Sequence, residues 1–397
     1  FFFSFCMLRP LATRLTSFCA DARVGSGPEY RMARPCCVYS ECFLPSSGER
    51  LLLVNRRAFV GGLTSGVLAA GRLGFAPPAP PVAGEIRPFE PHKAWREQVH
   101  RHLAASLGVL VLVLALLAAR RRRWGIAQIL VAAGLVGAAI PLYMHGEHVE
   151  ASVLAIIGEA ILLFAALRWS NIDLARAGAL TLAVIIFQAL LGMWTVTWLL
   201  KPIVVMGHLL GGLTTFSLLV WMAWRATDRP ITLADATVLR RWLIGGLALL
   251  GIQIALGGWV SANYAALACG MDFPKCVGQW APPADFSEAF VLWRGIGVDY
   301  EGGVLDGAAR IAIQLSHRVM AIVVALYVLA LAWRLFRTPG MRSWSLTLVV
   351  LIAAQVTLGI LNVKLNLPLP VAVAHNAGAV LLLFTMVSLT ARLRRPD

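Results

Sequence analysis

The stretch IAIQLSHRVMAIVVALYVLALAW, Ile311 to Trp333, is apolar enough to cross a bilayer, yet it carries His317 and Arg318 side by side near its start. A bilayer core of about 30 Å is spanned by roughly 20 residues of helix at about 1.5 Å rise each. Titratable side chains are costly inside such a span, so two together point to function. Comparable spans recur at 103–119, 126–144, 151–168, 177–199, 203–224, 242–260, 343–363 and 371–391. The predicted fold class is an all-α polytopic membrane protein.

Composition agrees. The chain is 59% hydrophobic and only 14% charged, with a mean hydropathy of +0.74, which excludes a soluble nucleic-acid-binding class despite the formal charge of +15. The arginines instead mark alternate connections: Arg120 to Arg123, Arg168 with Arg176, Arg225 through Arg241, Arg334 to Arg342, and Arg392 to Arg395. By the positive-inside rule these lie in the cytoplasm, with the C-terminus, and the lipid bilayer is the surrounding partner. The connections at 145–150, around Lys201, at 261–310 and at 364–369 then lie outside. On this topology His100, His208, His317 and His375 are expected in the first turns of helices entering from the outer side, at one depth. One such histidine could simply hydrogen-bond a neighbouring helix; four at one depth point to ligation.

An internal repeat supports that reading. QALLGMWTVTWLLKPIVVMGHLLGGL from Gln188 matches QVTLGILNVKLNLPLPVAVAHNAGAV from Gln355, and EQVHR, Glu97 to Arg101, matches QLSHR, Gln314 to Arg318. Two pseudo-symmetric four-helix halves are expected: 94–224, with a helix pair inserted at 126–168, and 242–397, joined by a cytoplasmic linker at 225–241. Two histidines per half, inside an apolar bundle, suit a bis-imidazole haem. Arg101 and Arg318 either pair with haem propionates or snorkel to the headgroups. The halves differ chemically. Glu97, three residues before His100, stands where the second half has Gln314. A carboxylate titrates and an amide does not, so acid–base chemistry is expected in the first half; the alternative is an interfacial acid stabilised by the helix dipole.

The blocks EQVHRHLAASLG, QALLGMWTVTWLLKPIVVMGHLLGGL, GGWVSANYAALACGMDFPKCVGQW, LSHR and AHNAGAV together resemble the haem A synthase family, membrane enzymes that oxidise haem o to haem a for aa3-type terminal oxidases. The likeness runs from about residue 94 onward. It implies that His100 and His208 face the substrate haem o, that His317 and His375 ligate a haem b, and that Glu97 is the functional acid. The implied reaction takes a porphyrin methyl group to an alcohol, then to a level that loses water and leaves a formyl group. The family also has a cysteine pair in an outer loop, matched here by Cys269 and Cys276, one residue farther apart than the family form; a disulfide there is either structural or an electron carrier. Expected partners are a haem O synthase supplying haem o, a membrane electron donor of unspecified identity and a homo-oligomer, with no nucleic acid. The expected location is the bacterial cytoplasmic membrane, ahead of the mitochondrial inner membrane.

By the repeat, a counterpart of 242–280, with its own Leu-Gly-Gly and cysteine pair, should precede Glu97. Residues 1–93 instead hold only the marginal run AFVGGLTSGVLAAG at 58–71. The expectation is that 1–85 is a misread frame or mis-called start, with the first helix weak or absent; the other reading is an Arg-rich mitochondrial transit peptide. His145, Glu147 and His148 in the turn MHGEH read as a short solvated turn rather than a metal site. Two other function classes share features: a non-catalytic di-haem electron-transfer cytochrome would keep the four histidines without needing Glu97, and a transporter would place its polar site at the midplane.

Overall fold

The computed structural model describes residues 91–170, 174–295 and 297–396. The readings of residues 1–85 and of a counterpart to 242–280 therefore lie outside the described residues. Among these, nine helices are long and apolar enough to cross a membrane, and they coincide with the nine expected spans. In chain order they are α1 Pro91–Ala119, α2 Gly125–Met144, α3 His148–Arg168, α4 Ala175–Thr197, α5 Pro202–Thr227, α6 Ala236–Ala262, then, after the short α7 Phe286–Ala289, α8 Gly307–Arg337, α9 Arg342–Lys364 and α10 Leu369–Arg392. Two-residue strands β1 Ile231–Thr232 and β2 Leu393–Arg394 pair in parallel, Ile231 with Leu393 and Thr232 with Arg394.

Local chemistry sets the helix ends. Pro202 opens α5, where its missing N–H costs nothing, and Asp306 caps α8 by accepting from the Ala309 N–H at 2.7 Å. Inside the spans, hydroxyls satisfy themselves on their own helix, as Thr181 does on the Ala177 carbonyl and Thr390 on that of Met386, each at 2.7 Å. Helices α1 and α8 start before their apolar runs do. His100 and His317 consequently sit near the third turn of α1 and α8, deeper than the first turns expected, because polar first turns such as PHKAWREQ extend these two helices beyond their apolar stretches; His208 and His375 sit in the second turn of α5 and α10, which start with their apolar runs.

Helix α4 packs between α1 and α5, and α9 packs likewise between α8 and α10; α6 closes the second group against α8 and α10, while α2 and α3 pair beside α1 and α4. Small residues permit close approach in the first group. A Cβ on Gly178 would lie 3.2 Å from the Ala115 Cα, and one on Gly158 2.8 Å from the Ala132 carbonyl oxygen. The second group has a fuller core of Leu239, Leu243, Val328, Leu331, Leu348, Leu382 and Met386. Helix α5 joins the groups by packing on α6 and α10, with Trp224 Nε1 donating to Ser388 Oγ at 2.8 Å.

The repeat extends to the backbone of the turns. Leu199 and Leu200 after α4, and Asn366 and Leu367 after α9, all have positive φ. Leu200 N–H donates to the Thr195 carbonyl at 2.8 Å and Leu367 N–H to that of Asn362 at 2.7 Å. Left-handed conformations of non-glycine residues cost about 1 kcal/mol each, so their recurrence marks one turn used twice. The next residue breaks the match: Pro368 follows the second turn and Lys201 the first. Lys201 is 1% exposed, and its Nζ has no hydrogen-bond partner. It lies 3.3 Å from the ring centre of Trp293 and 5.5 Å from that of Trp198, with Trp194 stacked on Trp198 at 5.0 Å. The ring faces give the ammonium its electrostatic contacts. The long loop after α6 is thereby fastened over the α4–α5 turn, helped by Tyr300 N–H donating to the Leu199 carbonyl at 3.1 Å.

Burial pushes the Lys201 amine down from its ordinary value to about 8. Between pH 8 and the ordinary lysine range the unfolded chain holds a proton that the folded chain has lost, so this residue makes stability rise with pH across that window. Thermal unfolding in detergent at pH 7.5 and pH 9.5 should show a larger gain for the wild type than for Lys201→Met; equal gains would remove the buried amine as the cause.

Candidate functional site

Three of the four histidines lie against a glycine of another helix. A Cβ at Gly192 on α4 would come 3.0 Å from His208 Cε1, one at Gly257 on α6 3.2 Å from His317 Cε1, and one at Gly359 on α9 3.2 Å from His375 Cε1. Any other residue at these positions would push the imidazole aside. Each glycine is preceded by a glutamine four residues earlier, on the same helix face: QALLG at 188–192, QIALG at 253–257 and QVTLG at 355–359. Gln188 Nε2 donates to the His208 backbone oxygen at 2.6 Å. Gln253 Nε2 stands 3.2 Å from His317 Nδ1 and 3.3 Å from the His317 backbone oxygen. Gln355 packs on Gly378, leaving no room there for a Cβ.

The rings retain unused nitrogen. Nδ1 of His208 and of His375 is buried with no hydrogen-bond partner, as is Oε1 of Gln253. Turning the Gln253 amide over would let a protonated Nδ1 of His317 donate to that oxygen, fixing the tautomer that leaves Nε2 as a ligand. His100 and His208 face each other with ring centres 6.1 Å apart. Two imidazoles on one metal ion, each bonded at about 2.0 Å and with its ring centre roughly an ångström beyond the nitrogen, stand about 6 Å apart. His317 and His375 also interact electrostatically. The structure thus brings together all four expected histidines, two by two, and the donor set fits bis-imidazole ligation.

The charged neighbours are arranged differently in the two pairs. Arg101 forms an ion pair with Glu97 on the same helix, and both are exposed. Arg318 turns to the outer loop: Nη1 donates to the Lys275 carbonyl and Nη2 to that of Asp272, both at 3.0 Å, with its guanidinium 5.7 Å from the Phe273 ring centre. That loop is closed by the Cys269–Cys276 disulfide, sulfur to sulfur 2.01 Å, as the resemblance implied, and both cysteines are buried. Arg318 therefore ties the helix bearing His317 to the disulfide ring, and only its buried Nε is left without a partner. In the MHGEH turn the His148 ring packs on Tyr143 at 4.8 Å.

Gln253 and Gly257 are the site residues absent from the sequence-based expectations. Their signal was the third copy of Gln-x-x-Leu-Gly, hidden because its histidine, His317, lies beyond the long outer loop rather than in the next hairpin.

Both cysteines should resist alkylation from the outer side in fresh membranes until a reductant is added. Arg318→Gln removes both loop contacts and should speed that reductive opening several-fold; immediate labelling of the unreduced wild type would show an open pair, and an unchanged rate in Arg318→Gln would show that the latch bears no load.

Comparison with known proteins places this arrangement in context. Residues 143–387 match the COX15-CtaA model, described as cytochrome oxidase assembly protein; the match takes in His208, His317, Arg318, His375 and both cysteines, while Glu97, His100 and Arg101 precede it. The chain is 38% identical over 306 residues to the Heme A synthase of Shewanella oneidensis, covering 76% of this chain and 77% of that protein. It is 29% identical over 223 residues to the Heme A synthase of Caulobacter vibrioides, covering 53% of this chain and 60% of the relative, and 30% identical over 183 residues to that of Paracoccus denitrificans, covering 43% and 44%. With more than half of its length matched by the family model and a relative similar over three quarters of both chains, the chain belongs to the COX15-CtaA family of cytochrome oxidase assembly proteins.

Proposed function

We propose that the protein is a haem A synthase, a multi-pass membrane oxidoreductase that converts haem o to haem a for aa3-type terminal oxidases. The observation that carries this reading is the pairing of glycine-backed histidines in a chain whose relatives bear that name. In the first pair, His100 and His208 hold the substrate haem o. In the second, His317 and His375 hold a haem b, each imidazole seated on its glycine, Gly257 or Gly359. A bis-imidazole haem supplies one-electron redox chemistry.

The chain's own residues supply position and proton handling. Gln188 and Gln253 hold the backbones of His208 and His317, and the glycine of each Gln-x-x-Leu-Gly unit sets ring position. Glu97 stands one turn before His100, paired with Arg101. With dioxygen as the co-reactant and two electrons from the membrane donor, each hydroxylation of the methyl carbon takes up two protons and releases one water, and the second gives a hydrated aldehyde that loses water to the formyl group; Glu97 is the group placed to relay those protons and Arg101 holds its carboxylate in place. Haem o arrives from a haem O synthase, electrons come from a membrane electron donor, and the arginine-bearing end, with the C-terminus, faces the cytoplasm. The bacterial cytoplasmic membrane is the site of action.

Glu97→Gln keeps size and hydrogen-bonding reach but removes the titratable proton. Haem a production should fall by about 10²–10⁴ in rate, with haem o or its alcohol accumulating and the haem b spectrum intact. Wild-type haem a would return Glu97 to a purely interfacial role, and haem b as the only extractable pigment in the wild type would favour the non-catalytic cytochrome. A second test concerns the glycine seats. Gly359→Val should displace His375 and shift or abolish the haem b absorption while the protein remains inserted, whereas Gly251→Val, with open space around it, should not; identical spectra would reject the seating.

A further inference from the structure

At the arginine-bearing end, the first turn of α6 and the segment after α10 enclose a cavity of about 410 Å³ lined by Ala236, Thr237, Arg240, Leu393, Arg394 and Arg395. It lies far along the chain and at the opposite helix ends from the histidines. We propose that this cavity binds the phosphate of an anionic membrane phospholipid.

Charge is the first support. Arg394 is paired with Asp228 at 2.6 Å, but neither Arg240 nor Arg395 has a carboxylate partner among the described residues. Arg240 spends one guanidinium nitrogen on the Leu393 carbonyl at 2.5 Å, and its Nε is buried without a partner; Arg395 reaches only the Thr237 hydroxyl at 2.7 Å. Two guanidiniums held by neutral oxygens beside one cavity leave positive charge uncompensated, and a tetrahedral phosphate offers acceptors to both.

The helix end adds to this. Asp235 is placed to cap the 27-residue α6 but makes no cap bond; its carboxylate goes to Arg334 at 3.0 Å instead. The first backbone N–H groups of α6 therefore receive no side-chain cap from Asp235, whose charge is matched by Arg334. Location decides between a lipid and a soluble phosphate. The cavity opens at the interfacial end of a membrane-spanning helix, and along α6 the residues Ile244 and Ile252 are exposed on the same side leading away from it. A headgroup in the cavity would lay its acyl chains down that stripe, a geometry known for basic pockets between membrane helices.

The test uses the full-length protein purified in a neutral detergent. Thermal unfolding and native mass spectrometry are followed with added phosphatidylglycerol, with phosphatidylcholine, and with inorganic phosphate alone. Phosphatidylglycerol should raise the unfolding midpoint and leave a retained one-lipid adduct, while phosphatidylcholine should do neither. Arg395→Gln, which loses no backbone contact, should weaken the adduct about fivefold, and Arg240→Gln with Arg395→Gln by the product of two such factors; Arg176→Gln, at the same membrane end on α4, should leave it unchanged. Equal effects of the two lipids, or an Arg395→Gln protein that retains the adduct like the wild type, would overturn the proposal. An equal shift with inorganic phosphate alone would assign the cavity to a soluble anion and overturn the lipid assignment.

Discussion

The contact of an imidazole with a Cβ-free residue on another helix is the constraint from which the site follows. Membrane helices gain little from burying apolar surface against each other, so their spacing is set by what side chains let the backbones do. Glycine at 192, 257 and 359 lets each helix come close enough to hold a ring edge-on, and the glutamine a turn earlier prevents the partner helix from sliding along it. In the second pair both rings are seated in this way, and in the first His208 is, with His100 standing 6.1 Å from it ring centre to ring centre. Any larger side chain in those seats changes the slot itself, not merely its lining.

From that shared arrangement the two pairs diverge at their outer rims. The second pair is covered by a covalently closed loop gripped by Arg318, whereas the first presents Glu97 and Arg101 bound to one another on an exposed face. A covered rim suits a resident group, and an open rim suits one that must enter and leave. Lys201 and Trp293 tie the long loop after α6 to the α4–α5 turn, so that loop links the two groups.

The nine spans were legible because hydropathy over 20 residues is a strong signal and because the bilayer leaves the backbone so few options. The histidine pairs were legible because the chain repeats them, and the Cys269–Cys276 bridge because a resemblance named it. The helix starts were not, since PHKAWREQ and GAAR carry no hydropathy signal and are helical through capping and continuation of the ladder. Nor was the commitment of Arg318 to the loop: a guanidinium beside a buried histidine has several possible acceptors, and only the folded path of residues 272 to 275 selects the backbone carbonyls. The burial of Lys201 ran against every compositional expectation for lysine, and its reason, two tryptophan faces from distant segments, exists only in three dimensions.

The parallel pairing of β1 with β2 also bears on the order in which the chain is made. Arg240 and the Leu393 carbonyl that it grips are 153 positions apart, and four membrane spans, α6 and α8 to α10, must be threaded before the two can meet. During synthesis the start of α6 therefore lacks these partners until α10 has been made. The clasp thus closes last, and it ties the segment ahead of α6 to the final helix rather than to its neighbour in sequence.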